Sequence, residues 1–141
     1  MASFPKYVEA LGIAQRLDTR LATALRTETD LKVIATGQKE FEAAVKTGNH
    51  LAMSEANKRF LMAIADAGKN PFLASFHERL LAHRQRMLHL HFEYLEQTHE
   101  GYLLMHEQDL MLQAIRDRDV GRADELAHAQ TRQFQDNFIN F

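Results

Sequence analysis

The heptapeptide Ala67-Gly68-Lys69-Asn70-Pro71-Phe72-Leu73 stops one helix and starts another within seven residues. Before it, Met53, Ala56, Phe60 and Ile64 recur at helical spacing, and Gly68 ends that series. Asn70 is a cap, and Pro71 takes the first helical position, where its missing N–H has no partner to lose. The same punctuation recurs in both directions along the chain. Upstream, Thr27-Glu28-Thr29-Asp30 reads as a capping box for a helix carrying Leu31, Ile34, Phe41 and Val45, with Gln38 between. Gly48-Asn49 closes that helix and caps the next. Pro5, close behind Ser3, opens a first helix that runs to about Arg26. Downstream, a fourth helix runs from Pro71 to near Tyr94, with Leu73, Phe76, Leu80 and Met87 expected inward. Polar residues and a glycine make Glu93–Gly101 a turn in this reading. A fifth helix carries Leu104, Met111, Leu112 and Ile115 and ends at Arg116-Asp117-Arg118. Asp119 caps a sixth, with Ala123, Leu126, Phe134 and Phe138 on one face.

No stretch alternates with period two, so the expected fold is all-α, an antiparallel bundle of six helices joined by short connections. The chain has 141 residues, which at roughly 150 residues per domain predicts one domain over 1–141. Its composition is 45% hydrophobic and 26% charged, ordinary for a globular protein. The absence of cysteine removes disulfides, thiolate metal sites and cysteine nucleophiles together. Seventeen basic against nineteen acidic residues give a net charge of −2, without the basic excess of a lone nucleic-acid-binding domain. No uncharged run is long enough to span a bilayer, and no signal-peptide order opens the chain. The expectation is a cytoplasmic protein with no membrane partner. It has no Gly-x-Ser-x-Gly elbow, His-Glu-x-x-His motif or phosphate-binding glycine loop, which argues against an enzyme.

Polar residues on apolar stripes carry the functional reading, because burying them costs free energy unless they are paired. Asn57 shares a face with Phe60, Leu61 and Ile64. Gln108 falls in step with Leu104, Met111, Leu112 and Ile115. Gln130 continues the series Ala123, Leu126 or Ala127, then Phe134. Either each amide bonds to its own neighbour, or the three converge on a polar cavity inside the bundle. Arg84 and Arg86 lie on the fourth helix with His77, His83 and His91, and an arginine turned inward there suits a carboxylate ligand. Eight histidines raise the alternative of a bundle metalloprotein or enzyme. The pairs Glu96/His99 and Glu125/His128 have the spacing of di-iron carboxylate sites, but the first falls in the expected turn and the second lies off the apolar stripe. His89 and Glu93 read as a surface pair. A ligand-free helical interaction module is the third alternative.

Several segments in order give the chain a family likeness. They are Leu21-Ala22-Thr23-Ala24-Leu25-Arg26-Thr27 leading to Thr29-Asp30-Leu31, Ala44-Val45-Lys46-Thr47-Gly48-Asn49, Asn57-Lys58-Arg59-Phe60, Ala67 through Leu73, Glu107-Gln108 with Ala114-Ile115, and Asp119 through Ala123. In these the sequence resembles the C-terminal effector-binding (FCD) domain of FadR-subfamily GntR transcriptional regulators. The resemblance implies a helical, usually homodimeric domain that binds a small-molecule effector, often a carboxylate metabolite. It also implies that DNA is reached only through an N-terminal winged helix-turn-helix, which this chain is expected to lack. Many relatives hold a divalent metal through an Asp or Asn, a His four residues on, and histidines on the last two helices. Here those positions carry Asn57, Leu61, Gln108 and Gln130, so no metal and no cofactor is expected. The family's Arg-x-x-Leu-Glu on the first helix becomes Leu11-Gly12-Ile13-Ala14-Gln15, without its arginine. The expected effector-binding residues are therefore Asn57, Leu61, Gln108 and Gln130, with Arg84 and His83 meeting an anionic group.

Overall fold

A computed structural model describes residues 4–91 and 97–139, with side chains described over 4–86 and 101–136. Six α-helices account for nearly all of these residues: α1 (Phe4–Leu25), α2 (Glu28–Thr47), α3 (His50–Ala67), α4 (Pro71–His91), α5 (Gln97–Arg116) and α6 (Val120–Ile139). The starts and stops follow the local chemistry. The Asp30 N–H donates to Thr27 Oγ1 at 3.0 Å while the Thr27 N–H donates to Asp30 Oδ2 at 2.8 Å, closing the capping box of α2. Gly48 takes φ +70° after α2, a left-handed turn that glycine adopts without strain. Asn49, Asn70 and Asp119 each accept a backbone N–H at the start of α3, α4 and α6.

Two expectations change. The turn placed over Glu93–Gly101 does not extend to its end, because α5 already begins at Gln97. Gly101 sits inside that helix, where an added Cβ would lie 3.2 Å from Met53 Sδ and 3.3 Å from Val45 Cγ2. Close helix packing, rather than a turn, explains this glycine. The inward stripe of α4 is also rotated from the expected one. Ala74, His77 and Leu81 are buried, Leu73 and Leu80 are half-buried, and Phe76 is exposed; the side chain of Met87 lies outside the described residues. The end of α1 at Leu25 agrees with the expected end near Arg26. The Phe138 side chain also falls outside the description.

The central element is α1, which packs against α3, α4, α5 and α6, while α2 lies on α3 and α5. The main core joins Leu11, Ile34, Phe60, Ile64, Leu81, Met111, Ile115 and Phe134, and a second cluster joins Phe41, Val45 and Met53 to Leu104 and Met105. Two reciprocal arginines lock one end of the bundle. Buried Arg26 donates to the carbonyls of Ile115 and Arg116 at the end of α5, and Arg118 donates to Ala24 O and Arg26 O at the end of α1. Each guanidinium covers carbonyls at a helix C-terminus, at the negative end of the helix dipole, although Ile115 O also accepts the Arg118 N–H at 3.2 Å.

Along the α1–α4 seam, Tyr7 meets Leu80 and Asp18 meets His77, so the two helices run antiparallel. A 100° step back from Asp18 and from His77 carries Leu17 and Phe76 to the same side of that seam. Leu17 and Phe76 are exposed there, and Ile13 and Phe72, further round α1 and α4, are exposed too, Phe72 to 85%.

Candidate functional site

The site is built on the inner turns of α1, α3, α4, α5 and α6. Asn57 and Gln108 face each other across α3 and α5, with Gln108 Nε2 donating to Asn57 Oδ1 at 3.0 Å. Gln108 is only 1% exposed, and its Oε1 has no partner. Leu61 is buried in the main core one turn beyond Asn57. Gln130 is half-buried and turns to α1, where Gln15 Nε2 donates to its Oε1 at 3.4 Å. The structure thus brings together two amide couples, Asn57–Gln108 and Gln15–Gln130, rather than one cluster of three.

Arg84 carries the charge of the site. Its guanidinium carbon lies 4.7 Å above the Phe134 ring, and its Nε is buried with no hydrogen-bond partner. Among the described residues no carboxylate forms an ion pair with it. Burial pulls its pKa below the ordinary arginine value, opposed by the fields of Tyr7 and Glu107. Half-buried Glu107 is pushed the other way, up, by desolvation, against the pull of Arg84 and His106. Tyr7 donates from its hydroxyl to Leu80 O at 2.7 Å, and burial pushes its pKa up to about 12 despite Arg84 and Arg86 nearby. His83 is exposed, edge-on to Tyr7 at 4.7 Å, with Arg86 3.3 Å from its Nδ1. An enclosed guanidinium N–H without an acceptor is costly, and among the described residues Arg84 meets the Phe134 ring but no carboxylate at ion-pair distance.

Sequence reasoning missed a second polar group of this interior. His77 Nδ1 and Asp18 Oδ2 are 2.8 Å apart, each side chain 2% exposed, and His77 Nε2 is buried without a partner. The signal was present in α1: Gln15 and Asp18 follow Leu11 by four and seven residues, on the face that continues to Ala22. In α4 it was hidden by the more hydrophobic series Leu73, Phe76 and Leu80.

The family's metal positions do not fit a transition-metal ion. Asn57, Gln108 and Gln130 offer neutral amides already bonded to other amides, and Leu61 offers hydrocarbon, whereas such ions favour imidazole or carboxylate donors. Among the described residues no three His, Asp or Glu side chains are grouped to hold a cation. Glu125 and His128 are both exposed on α6. Glu96 and Glu93 lie outside the described residues, as do the side chains of His89, His91 and His99. An open groove of about 450 Å³ between α3 and α4, lined by Glu55, Lys58, Arg59, Met62, Asp66, Glu78 and Gln85, has mixed charge and no convergent chemistry. Among the described residues no helix is long and apolar enough to cross a membrane.

Comparison with known proteins adds three findings. A family model described as the FCD domain matches residues 16–132. No curated protein matches the chain. Among solved structures, the chain is similar to McbR/YncC of E. coli with a TM-score of 0.86 at 17% identity, over 99% of this chain and 69% of that one.

Proposed function

Because the chain belongs to the FCD domain family, we propose that it is the effector-sensing and dimerisation domain of a GntR-family transcription regulator, that it has no enzymatic activity, and that it works without a bound metal. The observation that carries the sensing reading is Arg84, a half-buried arginine whose enclosed Nε has no partner and which no carboxylate of the described residues pairs with. A carboxylate effector supplies that counter-ion, with His83 at the rim, Asn57 and Gln108 as polar contacts, Leu61 as an apolar wall and Gln130 on the α6 side. Charge-assisted hydrogen bonds of this kind are about twice as strong as neutral ones. An arginine from α4 would then do what the family's missing first-helix arginine does elsewhere. Metal independence rests on the donor set at Asn57, Leu61, Gln108 and Gln130.

Dimerisation rests on the exposed apolar side chains Leu17 and Phe76 beside the α1–α4 seam, with Ile13 and Phe72 exposed on the same two helices. Clustered apolar surface of this kind marks an interaction site, and a second copy would meet it through the same patch about a two-fold axis. Effector binding would favour one arrangement of the two copies, and DNA-binding domains attached to them would follow by population shift.

The test is thermal stability against C2 to C6 mono- and dicarboxylates, because a ligand of the folded state raises the melting temperature by mass action. At least one carboxylate is expected to stabilise the wild type, and Arg84→Gln to lose that response. Equal responses of the two proteins, or none in either, would refute the reading. Stoichiometric zinc, nickel or manganese in protein purified without chelator would refute metal independence.

A further inference from the structure

The unpartnered buried atoms of α1 and α4 are connected through one ring of contacts. Arg84 lies over Phe134, which stands one turn from Gln130 on α6. Gln130 meets Gln15, which stands one turn from Asp18 on α1. Asp18 meets His77, two turns before Arg84 on α4. Three atoms in this ring lack partners: Arg84 Nε, His77 Nε2 and Gln15 Oε1. Their chemistry is divided by position. At one end is a cationic donor. About 10 Å away along α4, at 1.5 Å rise per residue, are two groups that call for a donor. An Asp18 carboxylate can only accept, so Nδ1 is the nitrogen that donates to it, and in the neutral imidazole that leaves Nε2 as an acceptor; a partnering carboxylate fixes the imidazole tautomer in the same way at metal sites. Gln15 Oε1 accepts in any case.

We infer that His77 Nε2 and Gln15 Oε1 form a second subsite, which accepts a hydrogen bond from a hydroxyl or ammonium group on an effector whose carboxylate is held at Arg84. This rests on the carboxylate reading of Arg84 given above. The effector class is a small carboxylate with a donor at its far end, and a plain alkanoate is discriminated against because it leaves both acceptors unsatisfied. Rejection of a ligand that lacks one required polar group is strong for this reason. Asp18 acts as a positioning residue that orients the imidazole. The Asp18–His77 pair bridges α1 and α4, so an effector at this subsite bears on the α1–α4 seam.

Two measurements test it. The first needs no effector: long-range 1H–15N NMR of the full chain at neutral pH should show His77 neutral, protonated on Nδ1 and not on Nε2. A proton on Nε2 overturns the acceptor assignment whatever Arg84 binds. The second compares pentanoate, 5-hydroxypentanoate and 5-aminopentanoate by thermal shift and calorimetry. The wild type should bind at least one of the two donor-bearing probes roughly five- to tenfold tighter than pentanoate, the gain of about one buried hydrogen bond; which one does so separates hydroxyl from ammonium recognition. In Gln15→Leu/Asp18→Ala/His77→Leu, which removes both acceptors and leaves no buried charge, that preference should vanish while pentanoate binding is kept. Equal affinity of the three probes in the wild type, or a preference that survives in the triple variant, overturns the subsite and leaves the carboxylate reading standing. Stabilisation by none of the three overturns both.

Discussion

The amide couple between α3 and α5 gives a sharp energetic test. Gln108 is 1% exposed, whereas Asn57 lies nearer the boundary at 9%, so the two halves of the 3.0 Å bond are unequal. Replacing Gln108 by Met leaves Asn57 Oδ1 unpaired but close to water, and about 1 kcal/mol is the expected loss. Replacing Asn57 by Leu strands the whole amide of Gln108, whose Oε1 already lacks a partner, and the loss should reach about 2–3 kcal/mol. The double variant Asn57→Leu/Gln108→Met removes both partners with little change of shape. It should return to within about 1 kcal/mol of the wild type. At about 4 °C per kcal/mol for a chain of this size, the melting temperature should fall by roughly 4 °C, 8–12 °C and less than 4 °C in the three proteins. Urea unfolding followed by helical circular dichroism at fixed protein concentration measures the cycle, with the denaturant slope checked for constancy. Additive losses, with the double variant as weak as the two single effects combined, would refute the pairing as an energetic unit. If the couple also contacts the effector, the double variant keeps its fold and loses carboxylate binding.

Three further outcomes are expected. Gly37→Ala should destabilise by about 1–2 kcal/mol even though alanine favours helices, because the new methyl would lie 3.1 Å from the Phe60 Cα, which is backbone and cannot turn aside; urea unfolding reads it. Arg16 holds Asp124 through a paired contact at 2.8 and 3.0 Å and keeps its carboxyl below the usual range. That stabilisation is present above the ordinary aspartate pKa and is lost as pH falls through the lowered folded value, so the small melting difference between Arg16→Gln and wild type at pH 6 should vanish in strong acid. Leu17→Glu/Phe76→Glu should give a monomer by sedimentation velocity with unchanged helicity, since both side chains are exposed; a dimer of wild-type affinity would place the interface elsewhere.

The helix boundaries were legible because each depends on one or two local residues: the capping box at Thr27, the Asn70-Pro71 start, the glycine at 48. The family followed from motif order, and the FCD match over residues 16–132 agrees with it. Gly101 was misread because glycine has two uses, turning the chain and letting helices approach, and only the position of Met53 and Val45 distinguishes them. The α4 stripe was misread because Phe76 is more hydrophobic than His77, while burial also depends on whether a partner such as Asp18 waits on the facing helix. For a pair 59 residues apart, the inward face of α1 could flag Asp18, but nothing in the local sequence of α4 names His77 as its partner. The amides were correctly placed on inward faces, but which amide meets which is set by helix rotation, and Gln15 as the partner of Gln130 lay beyond any spacing argument.

The reciprocal arginines give α1 the mechanics of a lever with a fixed fulcrum. Arg26 and Arg118 pin its C-terminal end to the α5–α6 turn, so the helix can swing but not slide. Twenty-two residues at 1.5 Å each put the tip at Phe4 about 30 Å from that pivot. A rotation of about 5° would shift Gln15 and Asp18 by only about 1 Å but carry the tip, where Tyr7 bonds Leu80, through about 3 Å. The core need only yield by a fraction of an atom's width for the far end of α1 to move by the diameter of one.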